Sequence, residues 1–508
     1  LSSEILEKNL RFLRFLKKIQ KSLLDRPYEL GYWSVGGAII SLSRDASMLS
    51  RYIKRVPVIL FFLLTVLEQI PQDIAASSRI PNITSDMERP EFWIKKIKNP
   101  MSQLLTPEEV EKMNEENLRK KDLHLCRIKD LKEDWTGEEI LSFLNEDWEN
   151  FGTTEEVGYG KGEAPLGESS RNEKKNRLDR KVIRESNRML FGLVVKRTDI
   201  RAFPTDEPSP RPDGFDRFQH SSISPGSPIG IYHFGQDKGW AYVQTQMIRG
   251  WIRTDHLAIA KERSEVVDYE ESKDRLVVTG NFIHVFGDPS FQQSLFLSQM
   301  GDSFPLLGIP EIKMGNPCYV ISIPWREGDG RLTFREGYIR PDEDVHRGFL
   351  SYTQVNLAHQ VFKMLNHPYG WGDRLGGRDC SRLIMDLFRT FGILMPRNSK
   401  EQARIGVDLG RVKGKSSREK RKVLDQAIPL ATTLRLPGHI MLYLGRDKGR
   451  HYVIHSLWGV QGSEKVETIG KVVVSDLSLG NKGPNGSLLD RITDIRTIGL
   501  SHQIQKEK

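Results

Sequence analysis

Apolar residues are spaced in three different ways along this chain, and each spacing predicts a different kind of element. Between 193 and 342 they fall in short alternating runs, and the pattern occurs twice. "LVVKRTDIRAF" at 193–203 aligns with "LVVTGNFIHVF" at 276–286, so Leu193, Val194, Val195, Ile200 and Phe203 recur at a constant offset of 83. "GWIRTD" at 250–255 answers "GYIRPD" at 337–342 at an offset of 87, which puts four extra residues between the anchors. A period of two, repeated in tandem, predicts two all-β modules. A long polar excursion, residues 204–219, interrupts the first.

Helical spacing brackets the modules. Thr106 and Thr136 each precede glutamates at the start of an apolar-periodic run, as N-caps do, which predicts a helical region over about 80–157. Residues 158–188 begin Gly-rich and become basic, and read as a linker followed by an extended arm lying on a neighbouring domain. After the modules, Val355, Ala358, Val361, Phe362 and Leu365 follow a helical period that breaks at Pro368. Leu383, Ile384, Leu387, Phe388 and Phe391 follow a second one, in "GGRDCSRLIMDLF" and just beyond it, and Cys380 falls in its first turn.

The third spacing is an unbroken apolar run. Val56 to Leu67 follows Arg51, Lys54 and Arg55 and precedes the small residues Ala75, Ala76 and Ser77, which is the outline of a signal peptide starting at Met48. Twelve residues span about 18 Å, too short for a bilayer core of about 30 Å, so the mature protein is expected to be exported without an integral membrane segment. Residues 1–47, with an amphipathic run from Ile5 to Leu24, then read as upstream sequence translated by mistake or as a genuine helix.

Composition adds little. The chain of 508 residues has room for several domains, and its net charge of +9 favours anionic surroundings without naming one. The basic arm has no interleaved aromatics, so nucleic-acid binding is not expected. Three cysteines, Cys126, Cys318 and Cys380, contain no C-x-x-C pair.

Cys380 therefore stands out by position. A thiol at a helix N-terminus is stabilised as thiolate by about 0.3 to 1 kcal/mol, and thiolate is the nucleophilic form. "LPGHIMLYLG" offers His439 as a base, and "RHYVIHSLWG" offers His451 and His455, whose separation of four residues places both on one strand face. Zinc held by Cys380, His439 and a second histidine would use the same residues, but no dedicated fourth ligand is evident.

Four strings in order, "PYGWG", "RDCSRL", "FGILMPRNSKEQ" and "PGHIMLYLG" with "YVIHS", resemble the NlpC-type papain-like endopeptidases of bacterial cell walls. The two β modules similarly resemble bacterial SH3-like barrels. The resemblance implies Cys380 as nucleophile, His439 as general base and acid, and His455 as the third polar residue. Tyr369, Asp379 and Ser381 would help hold the substrate, and no cofactor or metal is implied. One departure is Arg382, where the family commonly has glycine after Asp-Cys-Ser. The whole order resembles the subgroup that cleaves γ-D-glutamyl-L-diamino acid bonds in peptidoglycan stem peptides, with the first module closing one end of the cleft. A non-catalytic peptidoglycan-binding protein is the alternative.

The expected organisation is multidomain α+β: a possible upstream segment (1–47), a signal peptide (48–78), a helical N-terminal domain and linker (79–190), two SH3-like β-barrels (191–265 and 270–347) and a papain-like α+β domain (348–508). The periplasm or cell envelope is the expected location.

Overall fold

The computed structural model describes residues 33–35, 38–40, 80–152, 168–209, 215–462 and 465–499. The expected amphipathic helix, the signal peptide and the Gly-rich part of the linker lie outside these residues. The chain divides into two compact units, residues 1–77 and 78–508. Of the first, an antiparallel pair of short strands, Trp33–Val35 and Ala38–Ile40, is described. No helix among the described residues is long and apolar enough to cross a membrane.

In the second unit, the helices Pro107–Leu118 and Gly137–Asp147 each begin with a reciprocal capping box, Thr106 with Glu109 and Thr136 with Glu139. Neither helix has a core of its own. Val110 and Met113 join the apolar cluster of the C-terminal domain, whereas Ile140 and Leu144 join that of the first β module. The region is thus a strap across two domains. The basic arm is also not extended: Glu168–Arg177 is a helix, favoured by its straight-chain Glu, Lys and Arg residues and by a Glu173–Arg177 pair at 2.7 Å. It lies on the first module, where Lys174 sits 5.8 Å from the Phe218 ring centre.

Each module is a seven-stranded antiparallel sheet. The repeated segments occupy equivalent places, because the strand ending each copy pairs back onto the copy's second strand, at Trp251–Arg201 and at Tyr338–Phe286. The expected barrels are not closed: each sheet keeps two edges. In the first module the neighbouring domains occupy those edges, which removes the need to close. The Ser222 carbonyl of edge strand Gln219–Ile223 accepts from Arg382 at 3.1 Å, and Ile259 N–H of edge strand Leu257–Ile259 donates to Gly330 O of the second module at 3.0 Å.

The C-terminal domain packs the helices Gln354–Phe362 and Cys380–Arg389 against a six-stranded antiparallel sheet whose centre carries the strands Thr432–Leu436, His439–Asp447 and Arg450–Gln461. Leu383, Ile384, Leu387 and Phe388 are fully buried against Ile440, Leu442 and Ile454, each contributing about 1.5 to 3 kcal/mol by leaving water. The other face of the Cys380–Arg389 helix is buried too, but among polar groups of the two modules. Arg382 pairs with Asp386 and Asp373, both at 2.6 Å, and Arg378 reaches Asp386 at 2.7 Å and Asn281 of the second module at 2.5 Å. Arg382, where glycine was the family expectation, is therefore a buried interdomain anchor.

Candidate active site

The loop before Cys380 is set by two glycines. A Cβ on Gly370 or on Gly377 would come within 2.7 Å of the other's backbone, so only glycine allows the two segments to touch. The loop then delivers Asp379 as the helix N-cap, its Oδ1 accepting from Arg382 N–H at 2.8 Å. Cys380 is the first helical residue and is 8% exposed. On the opposite side, Gly438 at φ +77° makes the turn that starts the His439 strand, a conformation strained for any other residue.

His439 and Cys380 line the same cavity. His439 Nε2 lies 2.7 Å from His455 Nδ1, and His455 Nε2 lies 3.0 Å from Ser475 Oγ. With Nε2 engaged, Nδ1 is the His439 nitrogen left for the thiol. If His439 is to accept a proton there, its Nε2–H must donate to His455 Nδ1, and His455 Nε2–H must then donate to Ser475 Oγ. Ser475, on the strand Val466–Asp476, is thus the end of the chain that fixes both tautomers.

Burial dominates the electrostatics. It pushes the Cys380 thiol up to about 12, with the Asp379 charge adding to it and the backbone N–H of Ile440 and the Arg397 charge opposing. The expected helix-terminus effect is too small to reverse this, so the resting thiol is protonated. Burial also pushes His439 down to about 4, helped by the Arg491 charge. The resting pair is neutral thiol and neutral imidazole.

His451 shares a strand face with His455 but not its surroundings. Its Nδ1 is 2.9 Å from Tyr443 Oη, and its Nε2 is 3.9 Å from Asp425. Asp379 is not a free carboxylate: it accepts from Ser381 Oγ at 2.9 Å, from Gly372 N–H at 3.2 Å and from Arg397 at 2.6 and 3.2 Å. Arg397, inside the string "MPRNS", also donates to Ser221 Oγ of the first module at 2.6 Å. Nothing in its spacing marks that role. Among the described residues, no group of three or more His, Cys, Asp or Glu could hold a metal ion.

The cleft has two lobes that meet at Cys380. One, of about 400 Å³, is lined by Asp379, Ser381 and Arg397 together with His220 and Arg249 of the first module and Asp147 of the strap. The other, of about 260 Å³, is lined by His439, Leu436, Trp458, Asn485 and Arg491. Tyr369 and Trp371 line both. Phe215, from the long excursion of the first module, stacks on Trp371 at 5.0 Å and meets Trp458 edge-on at 5.0 Å and Tyr369 at 5.8 Å. The first module therefore walls part of the cleft, and Phe215 and Arg491 are lining residues that periodicity does not reveal.

Residues 366–465 match the NlpC/P60 family, and residues 208–253 match the SH3 domain of the SH3b1 type. Among solved structures, the chain is similar to an NlpC/P60 endopeptidase from Photobacterium damselae subsp. piscicida, at 19% identity over 80% of this chain and 96% of that one, with a TM-score of 0.62. A second similar structure, an NlpC/P60 family protein from Bacillus cereus, has 15% identity over 61% of this chain and 99% of that one, with a TM-score of 0.44. No curated protein matches the chain at a significant level. The match that spans Cys380, His439 and His455 identifies the C-terminal domain as an NlpC/P60 domain, which follows an SH3 domain of the SH3b1 type.

Proposed function

We propose that the protein is an exported cysteine endopeptidase of the cell envelope, hydrolysing the γ-D-glutamyl-L-diamino acid bond of peptidoglycan stem peptides that carry a free N-terminal L-Ala. The observation that carries this reading is a thiol at a helix start sharing a cavity with a histidine whose far nitrogen is held by a second histidine. That is the arrangement nucleophilic acyl transfer requires.

Chemically, Cys380 Sγ attacks the γ-carbonyl of D-Glu as its proton passes to His439 Nδ1. Because both groups rest neutral, the transfer accompanies attack rather than preceding it. Backbone N–H groups at the helix start, which a helix leaves unpaired, are the natural donors to the oxyanion. The His439 imidazolium then protonates the departing amine, and the C–N bond breaks to leave a thioester. Water, deprotonated by His439, releases L-Ala-D-Glu and restores the thiol. Tyr369, Asp379 and Ser381 line the lobe available to the L-Ala-D-Glu half.

The test is hydrolysis of L-Ala-γ-D-Glu-meso-diaminopimelate followed by mass spectrometry. L-Ala-D-Glu should accumulate with wild type and not with Cys380→Ala, whose thermal melt should stay near that of wild type. Turnover by Cys380→Ala above background would refute the mechanism. Export is tested separately by sequencing the N-terminus of the mature protein, which should begin near residues 76–78.

A further inference from the structure

In the lobe that His439 lines, the Arg491 charge has no partner among the described residues. Arg491 ends the short helix Leu488–Arg491, which a Ser487–Asp490 capping box holds in place. It is half-buried, yet among the described residues its side chain makes no ion pair or hydrogen bond, and desolvation alone acts on its charge. The adjacent Asp490 is committed elsewhere, its carboxylate accepting from Ser417 and Ser487. By contrast, Arg378, Arg382 and Arg397 around Cys380 each meet a carboxylate within 2.7 Å. A partly desolvated guanidinium without a counter-charge is costly to keep, and its planar fork fits a carboxylate bidentately.

Its position says which half of a substrate would meet it. The departing amine must lie on the His439 side of the scissile bond, since His439 protonates it. Arg491 lines the lobe on that side and is close enough for its charge to disfavour protonation of His439. Resting on the endopeptidase reading above, we propose that Arg491 binds a free carboxylate of the leaving diamino acid and so determines specificity on that side of the bond. Two carboxylates carry this chemistry: the α-carboxylate, shared by lysine and diaminopimelate, and the distal one, which diaminopimelate alone possesses. The distal contact would select diaminopimelate, because the lysine side chain places only a cation there.

The experiment uses the full chain with Cys380→Ala as background, so that binding is read without turnover. Calorimetry compares L-Ala-γ-D-Glu-meso-diaminopimelate, its two mono-amides at the third residue, and L-Ala-γ-D-Glu-L-Lys, with and without Arg491→Gln. A charge-assisted contact predicts that Arg491→Gln weakens the diaminopimelate peptide about 10-fold to 100-fold. It further predicts that Arg491→Gln does nothing more to the mono-amide lacking the contacted carboxylate. Loss confined to the distal amide, with weak lysine binding from the start, assigns the distal carboxylate; equal dependence for lysine and diaminopimelate assigns the α-carboxylate. Amidation that costs the same with and without Arg491 would overturn the inference, and Arg491→Met replaces Arg491→Gln should the latter not fold. Arg491-dependent binding without hydrolysis by wild type would retain this contact and discard the endopeptidase reading instead.

Discussion

Cys380 and His439 both rest in their neutral forms, and this sets how activity should depend on pH. His439 must be unprotonated to accept the thiol proton, and its pKa is pushed down to about 4 by burial and by Arg491. Protonation therefore begins only as pH falls towards 4, and kcat/KM for the tripeptide should be level from about pH 6 through neutrality, with its acid limb near 4. A limb near the ordinary histidine value of about 6.5 would mean that the site is wetter than its geometry indicates. Ser475 gives a second residue-scale prediction. Without its hydroxyl, His455 Nε2–H loses its acceptor and the imidazole is free to turn over its tautomer. Ser475→Ala should lower kcat about 10-fold with KM nearly unchanged, and Ser475→Thr should recover most of the loss. His439→Ala should cost most, His455→Ala less, and His451→Ala little, since His451 contacts Tyr443 rather than His439.

At the level of the element, the Cys380–Arg389 helix does two jobs with two faces. Its apolar face packs on the sheet, and its polar face carries Arg382 and Asp386, which with Arg378 and Asp373 of the preceding loop form a buried network that meets both modules. Arg382→Gly, which would restore the family's usual residue, should therefore be damaging here. It leaves Asp373 and Asp386 without their shared guanidinium and puts glycine in the first helical turn, at a cost of about 3 to 5 kcal/mol. Urea denaturation measures it. A change below about 1 kcal/mol would show that Arg197, 2.7 Å from Asp373, and Arg378 suffice.

For the molecule as a whole, the cleft belongs to more than one domain. His220 and Arg249 of the first module and Asp147 of the strap line the lobe beside Asp379, so a peptide entering it meets walls outside the C-terminal domain. Free L-Ala-γ-D-Glu-diaminopimelate should be cleaved at least 10-fold faster than the acetylated or muramyl-linked peptide, measured as kcat/KM on one enzyme preparation. Equal rates for the muramyl-linked peptide would mean that the module is no gate and that intact wall is accessible.

Much of this arrangement is legible in local patterns because the forces behind them are local. The 3.6-residue period starting at Cys380, the capping threonines Thr106 and Thr136, and the tandem β repeat at 193 and 276 all reflect interactions within a few residues or a constant offset. Periodicity could not choose between His451 and His455, which share a strand face; contact with His439 across the sheet does that. Nor could it reveal Ser475, Arg491 or Phe215, or why Arg382 replaces glycine. Arg382 meets Ser222 across 160 residues of sequence, and Arg397 meets Ser221 across 176. The first module was expected to close as a barrel; its edge strands meet neighbouring domains instead. Such pairings depend on which surfaces the fold presses together and dries, and a buried charge acquires its partner, its pKa and its role only there.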